Sequence, residues 1–292
     1  MTRNLLAFSG EFATLAFVQH RKHMMQKLFF PMAAFSVATA LYGADLQKQG
    51  YTDTPMVPGT KWHIHDPDRP VPAVVTPGEK FSEMANAPSD AVVLFDGKDL
   101  SKWQSQSGGD VKWKVENGYM ETTKTGRIRT RDEFGDFQMH LEFATPEKVE
   151  GNGQGRGNNG VNIFGKYEIQ VLDSYNNLTY ADGQAGALYG QSPPLANASR
   201  GPGQWQTYDV IFEAARWNDQ GEMTRKATVT LLHNGVLVHN KRELLGGTNH
   251  RAIVPYKKDE GRGYIELYEH GNPVRFRNIW IRPLGEYDKP AK

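Results

Sequence analysis

The sequence predicts an all-β fold made of antiparallel strands, either a sandwich or a barrel. Three observations carry this. From residue 91 onward, segment after segment alternates apolar and polar residues and is rich in β-branched and aromatic types, as in AVVLFDG, DFQMHLEFAT and VRFRNIWIRPL. Asn117-Gly118 and Asn234-Gly235 sit between alternating runs, the strongest short-range signal of a two-residue hairpin turn. No segment past residue 91 carries a long apolar period of 3.6 residues, so no strand–helix–strand rhythm builds a parallel sheet.

Composition narrows the function classes. The chain has 292 residues and a formal net charge of +1. It contains no Lys/Arg run that could form a basic face for phosphates, so no nucleic-acid partner is expected. It contains no cysteine, which removes disulfides, thiolate metal sites and cysteine nucleophiles together. A chain of this length can be held by its core alone.

The organisation along the chain has four parts. Residues 1–44 read as a signal-peptide region: Met24-Met25-Gln26-Lys27 is a short positive segment, residues 28–41 are an apolar run, and small residues follow around 40–44. Met24 or Met25 is then the start, and the protein is exported, periplasmic or secreted. The run is short of the ~20 residues that a membrane span needs, and Pro31 interrupts it. Residues 45–90 are rich in Pro and Gly and read as an extended strap. Within it His63, His65, Asp66 and Asp68 are of metal-ligating type, but nothing in their spacing forces a fixed geometry, and the segment is read as solvated. Residues 91–286 form the β domain, and residues 287–292 a tail.

Two strands draw attention within that domain. In YEIQVLDS (167–174), Glu168 and Gln170 share one face while Ile169 and Val171 share the other. Asp173 is out of phase by one; a β-bulge near Val171–Leu172 would return it to the face of Glu168 and Gln170. In GYIELYEHG (263–271), Ile265 and Leu267 point one way, and Glu266, Tyr268 and His270 the other. A face of acid, aromatic and imidazole suits a sugar ring, and His270 titrates near neutral pH. Asn162, in NNGVNIFGKYE, can donate to a hydroxyl or carbonyl, and Arg275 is a further candidate for substrate contact. Each polar face also has a plainer reading as solvent-facing sheet. The loop GNGQGRGNNG (151–160) is followed by a strand, not a helix, which rejects a dinucleotide site; it is either a flexible loop or a rim over the next strand.

Five separated runs, LFDGKDLSKW (94–103), WKVENGYM (113–120), FGDFQMHLEF (134–143), NNGVNIFGKYEIQVLDS (158–174) and YEHGNPVRFRNIWIRPL (268–284), resemble the 3-keto-disaccharide hydrolase domain family, also described as 3-keto-glucoside lyases and hydratases. The resemblance implies a concanavalin A-like jelly roll: a two-sheet antiparallel β-sandwich with a concave face for the ligand. Glu168-Ile-Gln170-Val-Leu-Asp173 echoes the acid-bearing strand of glucanases with that fold, but Gln170 stands where an acid would be. The implied chemistry is cleavage of a 3-keto-glycoside. A base removes the C2 proton that the C3 ketone acidifies, the aglycone leaves from C1, and water adds back. On this reading Glu168 or Asp173 is the base and His270 the acid or ketone polariser. Asn162, Gln170, Glu266, Tyr268 and Arg275 hold the substrate, a small oligosaccharide or glycoside. No cofactor is expected, and no ligand set for a divalent metal at the ketone stands out. Two other readings stand beside it: a non-catalytic carbohydrate-binding module, and an ordinary glucan hydrolase.

Overall fold

The computed structural model describes residues 49–285 and residue 288. The expected signal-peptide region, and the tail apart from residue 288, lie outside the described residues. Two antiparallel sheets face each other across one core. The larger sheet runs in the order Val236–Glu243, Thr228–His233, Gln206–Glu213, Phe137–Ala144, Arg275–Pro283, Tyr119–Glu121, Lys114–Glu116, and Val92–Phe95 also pairs with Arg275–Pro283. The smaller sheet runs Trp103–Ser105, Ile128–Thr130, Ile265–Leu267, Asn159–Ile163, Tyr167–Val171. Among the described residues no helix is long and apolar enough to cross a membrane.

The period of two decides which side chains meet. Phe137, Met139, Leu141 and Phe143 of one strand and Tyr208, Val210 and Phe212 of its neighbour enter the core from the larger sheet. Val161, Ile163, Tyr167, Ile169, Val171, Ile265 and Leu267 enter it from the smaller. Tyr208 is fully buried, and its hydroxyl crosses the core to donate to the Gln170 carbonyl oxygen at 2.7 Å. That bond ties the centre of the larger sheet to the edge strand of the smaller one.

Both Asn-Gly pairs turn hairpins as expected. Asn117 and Gly118 have φ of 48° and 79°, and Asn234 and Gly235 have φ of 52° and 79°, the positive pair that a type I′ turn requires. A third such turn was not foreseen. Asn159–Ile163 and Tyr167–Val171 form a hairpin: Phe164 and Gly165 have φ of 61° and 65°, and Lys166 N–H donates to the Ile163 carbonyl at 3.1 Å. An aromatic residue at positive φ is uncommon. Here core packing offsets the strain, because the Phe164 ring is buried and meets Phe212 edge-on at 5.0 Å.

The strap departs from expectation. Its first part is packed: Val57, Ile64 and His65 have no exposed surface, and Asp66 and Arg69 are buried, whereas most of residues 71–90 are exposed. Ala73–Val74 pairs in parallel with Ala196–Asn197. Further on, Ser82 Oγ donates to Asp209 Oδ2 at 2.6 Å, and Met84 N–H donates to Glu142 Oε1 at 2.5 Å. The later part of the strap therefore reaches the outer face of the larger sheet at Asp209 and Glu142.

Tyr208→Phe removes the bond across the core while keeping the ring. It should lower unfolding stability by about 1 kcal/mol, the usual net worth of one buried hydrogen bond. Urea denaturation followed by tryptophan fluorescence measures this; an unchanged midpoint would remove the inter-sheet tie from the account.

Candidate active site

The outer face of the smaller sheet carries two transverse rows of polar side chains. Strand register sets the first: Gln104 opposes Arg129, Arg129 opposes Glu266, Glu266 opposes Asn162, and Asn162 opposes Glu168. The second holds Gln170 opposite Gly160, with Tyr268 N–H donating to the Gly160 carbonyl at 2.9 Å. The Arg127 guanidinium lies 3.7 Å over the Tyr268 ring and completes this row. Above the rows is a cleft of about 400 Å³ lined by Arg127, Asn158, Glu168, Gln170, Tyr189, Thr248, Asn249, His250, Tyr268 and His270. Alternation paired Glu168 with Gln170 on one strand and grouped Glu266, Tyr268 and His270 on another; the structure brings Glu168, Gln170, Tyr268 and His270 to one cleft, while Glu266 and Asn162 lie in the floor beneath it and do not line it. The long chain separations between contributing segments are why the cleft as a whole was not foreseen.

Glu168 is the chemical centre of this floor. Only 8% of its surface is exposed, and among the described residues its carboxylate makes no hydrogen bond or ion pair. Burial pushes the carboxyl up to about 8; Glu266 adds to the rise and the nearby Arg127 opposes it. The side chain takes its place because Gly160, opposite Gln170, leaves a gap in the sheet's surface. A Cβ on Gly160 would stand 2.5 Å from Glu168 Oε1. Glu266 is also buried and raised, by desolvation that Arg127 and Arg129 partly oppose.

The neighbours supply hydrogen-bonding groups. Asn162 Nδ2 donates to the Tyr268 hydroxyl at 2.7 Å, and Gln170 Nε2 donates to Gln154 Oε1 and Asn158 Oδ1, both at 3.1 Å. Asn162 Oδ1, Gln170 Oε1 and Glu266 Oε1 are buried without a partner among the described residues. A buried polar atom without a partner costs about 1–3 kcal/mol, which a ligand hydroxyl can relieve. His270 stands at the mouth, its imidazole held below its ordinary value by partial desolvation of the ring and by Arg127. Among the described residues no group of three or more His, Asp or Glu is arranged to hold a metal ion.

Two expected site residues lie elsewhere. Asp173 does not return to the face of Glu168, because pairing of the Tyr167–Val171 strand is regular to its last residue and no bulge resets the phase. Its carboxylate is buried against Arg156, whose Nε donates to Asp173 Oδ2 at 2.7 Å. Arg275 belongs to the larger sheet. It lies 5.4 Å and 5.6 Å from the Tyr119 and Trp205 ring centres, and its Nη2 donates to the Gly203 carbonyl at 3.3 Å. Conversely, Arg127, Tyr189 and His250 enter the cleft without having been singled out. Arg127 had a signal in hindsight, since GRIRT places it two residues from Arg129 on one face of a strand. The loop 151–160 is a rim: Gln154 and Asn158 bond to Gln170, and Gly153 N–H donates to Asn177 Oδ1 at 2.8 Å.

The raised carboxyl has a consequence for stability. Native Glu168 keeps a proton that the unfolded chain releases near pH 4.5, so its contribution to stability is fully present below that pH and is lost as pH rises to about 8. A difference of this size corresponds to on the order of 4 kcal/mol. Glu168→Gln, which cannot ionise, should therefore be more stable than the parent at pH 9 and similar to it at pH 4.5. Denaturant titrations at both values test this; equal stability of the two proteins at pH 9 would mean that Glu168 is not desolvated.

Comparison with known proteins identifies the family. Residues 90–282 match the model of the 3-keto-alpha-glucoside-1,2-lyase-like domain. A 3-keto-disaccharide hydrolase of Bacteroides thetaiotaomicron is 23% identical over 309 residues, covering 89% of this chain and all of that protein. A crystal structure from Parabacteroides distasonis, of a protein designated a candidate glycosyl hydrolase, is 45% identical with a TM-score of 0.66 and covers 81% of this chain and 99% of its own. A second structure from that organism, with the same designation, has a TM-score of 0.51 at 22% identity over 67% of this chain and 94% of its own, a likeness of fold. With the matched segment spanning the whole sandwich and its polar cleft, the chain belongs to the 3-keto-alpha-glucoside-1,2-lyase-like domain family.

Proposed function

We propose that this protein is an exported enzyme that cleaves the glycosidic bond of 3-keto-glycosides by elimination followed by hydration. The observation that carries the reading is Glu168: a carboxyl without a partner among the described residues, in a sugar-sized cleft, held up at about 8 by burial. A stronger base is what removal of a carbon-bound proton needs. Glu168 takes the proton from C2, the electrons form the C1–C2 double bond, and the C1–oxygen bond breaks. Arg127 supplies positive charge for the oxygen of the C3 ketone as the enolate forms. His270, at the mouth, delivers a proton to the leaving oxygen. Water then adds to C1 of the enone and gives its proton to the now neutral His270, while Glu168, whose proton exchanges with solvent as the aglycone departs, protonates C2, so the sum is hydrolysis. Asn162, Gln170 and Tyr268 position the ring hydroxyls. No second carboxylate acts as nucleophile, in keeping with an amide at position 170 and with Asp173 paired to Arg156. Export is supported by the order of charged, apolar and small residues over 24–44.

Turnover of 3-keto-trehalose in D₂O should place deuterium at C2 of the released keto-sugar, while unoxidised trehalose stays intact. Glu168→Gln should lower kcat at least 10³-fold, Gly160→Ala should lower it by crowding the carboxyl, and His270→Ala should cost on the order of 10–10²-fold. Because Glu168 must be ionised and His270 protonated, kcat/KM should pass through a maximum between the lowered His270 value and the raised Glu168 value of about 8, and fall on both sides. Full activity in Glu168→Gln and His270→Ala would sink the mechanism; retained sugar binding without turnover in the parent would favour a binding module.

Expression of the full chain in a bacterial host should yield a periplasmic protein whose N-terminus, read by mass spectrometry, falls near residues 40–44. An uncleaved cytoplasmic product would end the export reading.

A further inference from the structure

The inner cleft does not end at its mouth. Asn158, Tyr189, His250 and His270 also line a second, larger chamber of about 1200 Å³. One wall of that chamber is the strap: Tyr51, Asp68 and Arg69 face Asn152 and Gln154 of the loop before Asn159–Ile163 and Tyr180 of the loop after Tyr167–Val171. The strap precedes the segment 90–282 that defines the family, so this wall is an addition to the family's domain. We propose that the outer chamber is the subsite for the leaving sugar, a second pyranose ring, and that the strap, through Tyr51, sets the preference for a disaccharide over a small aglycone. The proposal rests on reading the inner cleft as the keto-sugar site.

The wall is built before any ligand arrives. Asp182, with no exposed surface, accepts from the His65 backbone N–H and from His65 Nδ1, both at 3.0 Å, and lies 3.5 Å from Arg69 Nη1. Arg69 Nη2 also donates to the Gln191 carbonyl at 3.2 Å. The His65 ring, held at a φ of 59°, stacks 4.0 Å from the Tyr180 ring and 4.8 Å from that of Tyr189. Tyr51 N–H donates to the His65 carbonyl at 2.8 Å, which carries this anchoring to the chamber's edge. Gly153 lies beneath the Gln49 side chain, where a Cβ would overlap it. A strap tied down by buried charge in this way loses little order on binding, and preorganisation of that kind favours affinity.

The lining fits a sugar. Amides at Asn152, Gln154 and Asn158, with the Arg69 and Arg156 guanidinium groups, present donors and acceptors in several directions, and Tyr51, Tyr189 and His250 add flat faces. The order of the two chambers assigns their occupants. Glu168 lines the inner cleft only, whereas His270 lines both. The ring that loses its C2 proton therefore sits inside, the bond that breaks lies at His270, and the departing ring lies outside.

The test compares leaving groups. The parent, Tyr51→Ala and Asn152→Trp are assayed with methyl 3-keto-glucoside and with 3-keto-trehalose, 3-keto-maltose and 3-keto-cellobiose. Tyr51→Ala should lower kcat/KM for the preferred disaccharide at least tenfold more than for the methyl glycoside. Asn152→Trp, which fills the chamber from the opposite wall and leaves the strap intact, should show the same bias. A separate titration of the parent and Tyr51→Ala with unoxidised trehalose, maltose, cellobiose and methyl glucoside reads binding alone. One disaccharide should bind the parent at least fivefold tighter than methyl glucoside, and Tyr51→Ala should abolish that difference. Equal losses on both substrate classes in both variants, or no disaccharide preference in binding, would overturn the subsite. If the parent cleaves none of the keto-sugars, the catalytic reading fails, and the binding titration alone decides the outer chamber.

Discussion

The register of one hairpin is the constraint on which the rest depends. Asn159–Ile163 and Tyr167–Val171 pair so that Val161, Ile163, Tyr167, Ile169 and Val171 enter the core while Glu168 and Gln170 face the cleft. A slip by one residue would exchange these sets, placing a carboxylate and an amide in the core and exposing the apolar residues. The turn at Phe164–Gly165 guards against that slip. Its backbone is unfavourable for a phenylalanine, and the ring recovers the cost only by packing against Phe212 across the core. Core packing and site geometry are thus one decision, taken at the turn.

The same register makes the cleft costly to hold. The floor collects buried groups that lack partners among the described residues: the Glu168 carboxyl and side-chain oxygens of Asn162, Gln170 and Glu266. On the larger sheet, by contrast, the buried carboxylate at Glu142 and the ring of His140 are paired with opposite charge. On the outer face of the larger sheet, His140 Nδ1 bonds Asp209 Oδ1 at 2.8 Å, and Glu142 accepts from Arg277 Nε at 2.6 Å and Asn278 Nδ2 at 3.0 Å. Burial alone would lower His140 and raise Glu142, but these bonds outweigh it and hold them at about 9 and about 2. The contrast between carboxylates paired with cations on one sheet and the Glu168 carboxyl on the other, with no partner among the described residues, marks where stability has been given up for chemistry.

The strap links these two faces. Its first part anchors at Asp182 beside the cleft, and its later part reaches the charged network through Ser82 and Met84. Arg200 reinforces it by donating to the Gly78 and Glu79 carbonyls and pairing with Glu83. A segment with no regular secondary structure of length is held here by buried polar anchors, not by an apolar stripe. That is why its composition resembled a solvated linker.

Alternation of residues by itself determined the β class, the hairpins at Asn117-Gly118 and Asn234-Gly235, and the shared face of Glu266, Tyr268 and His270, because a strand's period of two is written locally. The same logic misplaced Asp173 and Arg275. The first depended on a bulge that pairing with Asn159–Ile163 does not allow, and the second on which of two sheets receives the last strand. Arg127 against Tyr268, His65 against Asp182 and Gly160 beneath Glu168 came only with the tertiary structure. Each of these contacts joins different strands or loops, and the state of Glu168 depends on desolvation by all of them together. Sequence specifies which groups can ionise; only the packed chain decides which of them is left without water or a partner.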